Sequence, residues 1–73
     1  MKDKWKDIAS APKDGRMVLL FGYHPLRGYG EIVIGSWDAL YQGIWGWYDA
    51  DGHSFIASHW MKLPQLPSNS FLK

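Results

Sequence analysis

The sequence predicts an all-β protein, a small four-stranded antiparallel meander or partly closed barrel with room for one short helical turn. Three observations carry this. The apolar runs are too short for typical helices and sit between Gly and Pro turn signals. They are rich in β-branched and aromatic residues. No stretch shows the spacing of an amphipathic helix that could cover a sheet.

The elements follow in order. Ala11-Pro12-Lys13-Asp14-Gly15 is a turn: Pro pre-sets one dihedral, Asp bonds its own backbone and Gly accepts positive φ. Arg16 to Tyr23 is the first strand and Glu31 to Trp37 the second, joined by a loop, His24 to Gly30, that Pro25 and two glycines keep out of pairing. Residues 38–43 read either as one helical turn with Asp38 as N-cap or as a hairpin loop. Ile44 to Tyr48 is the third strand. Asp51-Gly52 suggests a two-residue primed turn, returning the chain as a fourth strand, Ser54 to Met61. Pro64 and Pro67 stop that strand, so the expected organisation is one β domain over residues 1–67 and an extended tail over 68–73.

At 73 residues, with 47% of them apolar and five Trp, the chain supports one core built from a few large rings. The absence of Cys excludes disulfides, thiolate nucleophiles and Cys-ligated zinc. A net charge of +1, with lysines interleaved among Asp3, Asp7 and Asp14, argues against duplex nucleic acid as a partner. The charged first residues and the short apolar run Met17 to Phe21 indicate no leader and no membrane span, so a cytoplasmic location is expected.

Strand alternation puts large apolar groups on both faces. Met17, Leu19, Phe21 and Tyr23 oppose Val18 and Leu20 in the first strand; Trp45 and Trp47 oppose Ile44 and Tyr48 in the third. A lone sheet covers one face. The other is covered by curling, by the termini or by a second subunit, and a homodimer is the expectation drawn here. Trp37, Trp45, Trp47, Tyr48 and Tyr29, with Arg27, are the candidate binding residues. They would serve as a stacking platform for a partner side chain, nucleotide or single strand, although large rings in a small domain also simply fill the core.

Catalytic and metal chemistry finds little footing. His24, His53 and His59 match no familiar ligand spacing and read as ordinary histidines. Asp49-Ala50-Asp51-Gly52 starts like a calcium loop, but its twelfth position is Trp60. Ser58 and His59, as strand neighbours, should point to opposite faces. Glu31 is the only Glu and would need Asp38, Asp49 or Asp51 to make a carboxylate pair. Glycines 28 and 30 lack the rest of a dinucleotide fingerprint. No enzyme, metal or cofactor is expected.

Two terminal motifs remain. Trp5-Lys6-Asp7-Ile8-Ala9-Ser10-Ala11-Pro12-Lys13-Asp14-Gly15 at the start and His59-Trp60-Met61-Lys62-Leu63-Pro64 at the end resemble small phage and prophage proteins catalogued as a domain of unknown function. Those proteins show W-x-x-[IV]-x-x-[AL]-P-x-[DE]-G and T-H-W-M-P-L-P. The resemblance spans Trp5 to Pro67, with Ser58 where Thr is usual and Lys62 where Pro is usual. It implies a phage or prophage accessory protein in the host cell and no established activity. Trp5, Pro12, Asp14, Gly15, His59, Trp60 and Pro64 then read as structural residues, Trp5 packing near His59-Trp60 to pin the ends to the sheet. The function expected is stoichiometric binding to a host or phage protein or a small ligand, in the manner of a counter-defence protein; a nucleotide or single-strand binder is the alternative.

Overall fold

The computed structural model describes residues 5–64. The expected domain end at Pro67 and the tail over 68–73 lie outside the described residues. Five antiparallel strands form one open sheet: β1 (Lys6–Asp7), β2 (Val18–Tyr23), β3 (Glu31–Tyr41), β4 (Ile44–Asp49) and β5 (Ile56–Met61), in the order β1-β5-β2-β3-β4. The only helical turn among the described residues is a 3-10 turn at Ile8–Ser10. Asp7 caps it, its carboxylate accepting the Ala9 N–H at 2.9 Å, while the Ser10 hydroxyl donates to the Asp7 carbonyl at 2.8 Å.

The sheet differs from the expected meander in three ways. First, there is a fifth strand, since Lys6 and Asp7 pair with Trp60 and His59. Second, residues 38–43 are not helical. β3 runs on to Tyr41, and Gln42 and Gly43, at φ 52 and 73, form the two-residue turn of a hairpin. Positive φ at both positions matches the right-handed twist of the strands. Third, β5 pairs with β2 and not with β4.

That third difference originates at Asp49 to His53. The Gly52 N–H donates to the Asp49 carbonyl and the Asp49 N–H to the His53 carbonyl, both at 2.9 Å, and only Gly52 has positive φ (87). The turn is therefore a three-residue loop and not the primed two-residue turn. Beyond it the chain follows β4 only through the Tyr48 and Ser54 bridge and a hydrogen bond from the Phe55 N–H to the Trp47 carbonyl. At Ile56 it leaves to lie against β2.

Register then assigns the faces. Val18, Leu20 and Gly22 lie opposite Gly35, Val33 and Glu31 on β3, and Leu20 lies opposite Trp60 on β5. This inner face holds the core: Val18, Leu20 and Phe55 are buried, with Ile8, Val33, Trp47, Ala57 and Trp60 packed against them. Gly22 and Gly35 sit where strands crowd. A Cβ on either would overlap a backbone carbonyl, of Ile56 or Tyr48. The outer face carries Leu19, Phe21 and Tyr23 beside Ile34, Ile32, Met61, His59 and Ile56.

Candidate functional site

Three clusters carry the chemistry. The first is on the inner face where β2, β3 and β4 meet. His24 follows β2, is buried, and sets its ring edge-on to Phe55 at 4.9 Å between centroids. Its Nδ1 lies 2.7 Å from Glu31 Oε2 and its Nε2 2.7 Å from Asp49 Oδ2. A carboxylate only accepts, so both ring nitrogens donate and His24 is an imidazolium. The hydrogen bond to Asp49, then that to Glu31, raises its pKa against the opposing effect of burial. Burial pushes the Asp49 carboxyl up, but the His24 bond and the His53 and Asp51 N–H groups outweigh it and hold Asp49 below its ordinary value. Arg27 faces Glu31 at 3.6 Å and His53 faces Asp49 at 3.7 Å.

Glu31 and Asp49 thus form the carboxylate pair that sequence spacing left apart, and His24 is not an ordinary histidine. The signal was weak: two acids and a histidine separated by 7 and 25 positions converge only through the β2-β3-β4 register. With both nitrogens engaged, His24 offers no free lone pair to the adjoining cavity of ≈ 260 Å³ lined by Pro25, Leu26, Arg27, His53 and Ser54. Asp49, Asp51 and His53 each bring a ligand atom within 4.8 Å of the others. Asp49 is committed, however: Oδ1 accepts the Asp51 and His53 N–H groups and Oδ2 takes His24.

The second cluster is aromatic, at the far end of β3 and β4. Trp37 lies opposite Trp47, their rings edge-to-face at 5.2 Å, and Trp45 stacks roughly parallel to Trp37 at 6.5 Å. The Lys13 ammonium sits 4.6 Å from the Trp37 ring centroid, a cation over a π face. Trp45 is 61% exposed. Three of the expected platform residues therefore meet. The others do not join them: Tyr48 points to the opposite face, is buried, and donates its hydroxyl to the Ile44 carbonyl. Tyr29 and Arg27 stand in the loop before β3, roughly 20 Å or more away along that strand.

The third cluster joins the chain's two terminal motifs. Asp7 pairs with His59 and Lys6 with Trp60; the Trp60 indole N–H donates to Ser10 Oγ at 3.1 Å, and Trp5 meets Phe21 edge-to-face at 6.2 Å. In the opening turn Gly15 takes φ 89, Asp14 pairs with Arg16 at 2.8 Å on the surface, and Pro12 follows buried Ala11. Pro64 lies exposed beyond β5.

Here the structure corrects the strand alternation. The β2 and β5 register shifts between Phe21 and Gly22, leaving Ser58 as an extra residue in β5. Such a bulge re-aims its side chain, and Ser58 Oγ comes to 2.8 Å from His59 Nδ1 and 3.3 Å from the Phe21 carbonyl.

Compared with known proteins, the chain matches no family model, no curated protein and no solved structure. No helix among the described residues is long and apolar enough to cross a membrane.

Proposed function

We propose that this is a non-enzymatic binding protein that acts by stoichiometric association through the outer face of its sheet. The observation that carries the reading is the continuity of that face. Phe21, Tyr23, Ile32, Ile34 and Ile56 are neighbours in register and each is at least 40% exposed. Exposed apolar groups gathered on one face of a small monomer mark an interaction surface. The terminal motifs support a phage or prophage accessory role in the host cytoplasm, with a host or phage protein as partner and counter-defence as the outcome. In the absence of that partner a second copy covers the face.

Sedimentation at tens of micromolar tests this. The expected result is a dimer for the natural chain and a monomer for Ile34→Glu, which places a charge in the middle of the patch. A natural chain that stays strictly monomeric would remove the self-association and count against this face as an interface.

A second reading rests on Trp45, whose exposed ring beside Trp37 and Lys13 suits a nucleobase with a phosphate nearby. Quenching of tryptophan fluorescence by nucleotides or oligonucleotides, lost in Trp45→Ala, would favour it. No response across a broad panel would discard it.

A further inference from the structure

We infer that the hollow between Trp5, Phe21 and His59 is an anchor pocket for a phenol ring, namely a tyrosine side chain of the bound protein. The occupant's being a protein rests on the binding function proposed above; the pocket itself does not.

Ser58 Oγ makes two contacts, to the Phe21 carbonyl and to His59 Nδ1. The carbonyl can only accept, so a hydrogen bond to it uses the hydroxyl hydrogen. Both contacts are then hydrogen bonds only if Nδ1 carries a proton and donates to Oγ. In the neutral ring this leaves the lone pair on Nε2, and no hydrogen bond reaches Nε2 among the described residues. With this pair of bonds Ser58 is a positioning residue that orients His59 and leaves Nε2 as its acceptor.

His59 is exposed on the outer face opposite Phe21, and together with Trp5 these residues line a hollow of ≈ 270 Å³. Trp5 and Phe21 meet with their planes at 60°, which gives an entering ring one face and one edge to pack against. The lining is two aromatic side chains and the imidazole. Small-ligand sites share that composition, mostly apolar walls with one placed polar group, and a single six-membered ring fits the volume.

The acceptor selects the ligand. A free imidazole lone pair between two aromatic walls favours a ring with a donor on its rim. Among protein side chains tyrosine carries that donor opposite the point where the ring joins the chain, so the ring enters and the hydroxyl leads. The indole N–H of tryptophan lies to one side. The pocket adjoins Tyr23, Ile32 and Ile34 through Phe21, so a tyrosine held here would sit within the partner's footprint, as buried aromatic anchors do at protein interfaces.

The test uses p-cresol, the tyrosine side chain as a free molecule, with toluene and 3-methylindole as comparators, titrated into the whole chain and followed by NMR. The expected result is p-cresol binding about fivefold tighter than toluene, as one net hydrogen bond would give, with the largest shifts at Trp5, Phe21 and His59. His59→Ala removes the preference but keeps toluene binding; Trp5→Ala weakens both. The ¹⁵N shifts of His59 place the proton on Nδ1, and Ser58→Ala releases that tautomer. Equal binding of p-cresol and toluene, a proton on Nε2, or tighter binding of 3-methylindole each overturns the assignment. Sedimentation reads the outer face, and p-cresol titrated at a protein concentration where the chain is monomeric reads the pocket, so failure of the outer face as an interface and failure of the pocket are distinguished.

Discussion

At one end of the inner face His24, Glu31 and Asp49 close the sheet with ionic hydrogen bonds under the loop from Ala50 to Phe55; at the other, Trp37, Trp47 and Trp45 run out along a hairpin whose last ring, Trp45, is exposed. Both ends belong to the same two strands, β3 and β4. The difference lies in where the chain goes next. At the His24 end the turn after Asp49 brings Phe55 over the face, so polar groups there are shut away from water and must satisfy one another. At the tryptophan end the turn is two residues long and returns directly, so the turn itself brings no chain over the face and Trp45 stays largely wet. One end is therefore made for stability and the other leaves apolar surface in reach of a ligand.

The largest expected effect tests that division. His24→Ala strands two acidic side chains, one 9% and one 21% exposed, and removes the ring on Phe55. Breaking a buried ion pair costs about 3–5 kcal/mol, and the low end, about 3 kcal/mol, is expected because Glu31 keeps some water. That is a large share of the stability of a chain this size. Trp45→Ala, on a ring mostly in solvent, is expected to cost under about 1 kcal/mol. Urea denaturation of both variants decides. Similar losses would mean that the two ends share the load.

The pH dependence sharpens the same contrast. His24 titrates above its ordinary 6.5 when folded, so its contribution is complete below about 6.5 and is lost as pH rises through the elevated value. Asp49 titrates below its ordinary 3.8, so its contribution is present above about 3.8 and is lost as pH falls through the depressed value. The network is at full strength in the interval between. Urea midpoints measured from pH 4 to 9 should decline on the alkaline side, and His24→Gln should flatten that limb. An identical alkaline decline in both proteins would show that the imidazolium is not its source.

How much of this could be read beforehand varies with the range of the interaction. Strands β2, β3 and β4 were legible because alternation and turn residues are local. β1 was not: two charged residues carry no strand signal, and Lys6 and Asp7 become a strand only because β5 offers an edge. The return of β5 to β2 was hidden for the same reason, since Asp51-Gly52 specifies a turn but not where the chain goes after Phe55. The tryptophan cluster was half legible. Trp45 and Trp47 share a face by alternation, and Trp37 joins through the register, but the same rule placed Tyr48 on the other side. The pairing of Ser58 with His59 ran against alternation altogether, because a bulge leaves no mark in the side-chain pattern.

The smallest effect lies in the hairpin that exposes the tryptophans. Gln42 is the one non-glycine residue with positive φ among those described, and a left-handed conformation costs an ordinary L-residue roughly 1–2 kcal/mol. Asn tolerates it better, since its short amide bonds the local backbone, and Asn-Gly is the preferred pair in such a turn. Gln42→Asn is therefore expected to stabilise the protein by about 0.5 kcal/mol, through the turn alone. If the hairpin opens separately from the His24 end, amide hydrogen exchange should slow at Leu40 to Gly46 and stay unchanged at Leu20 and Glu31. Slowing spread evenly over all strands would instead mean that the sheet opens as one unit, and the open hairpin would share the stability of the closed end it contrasts with.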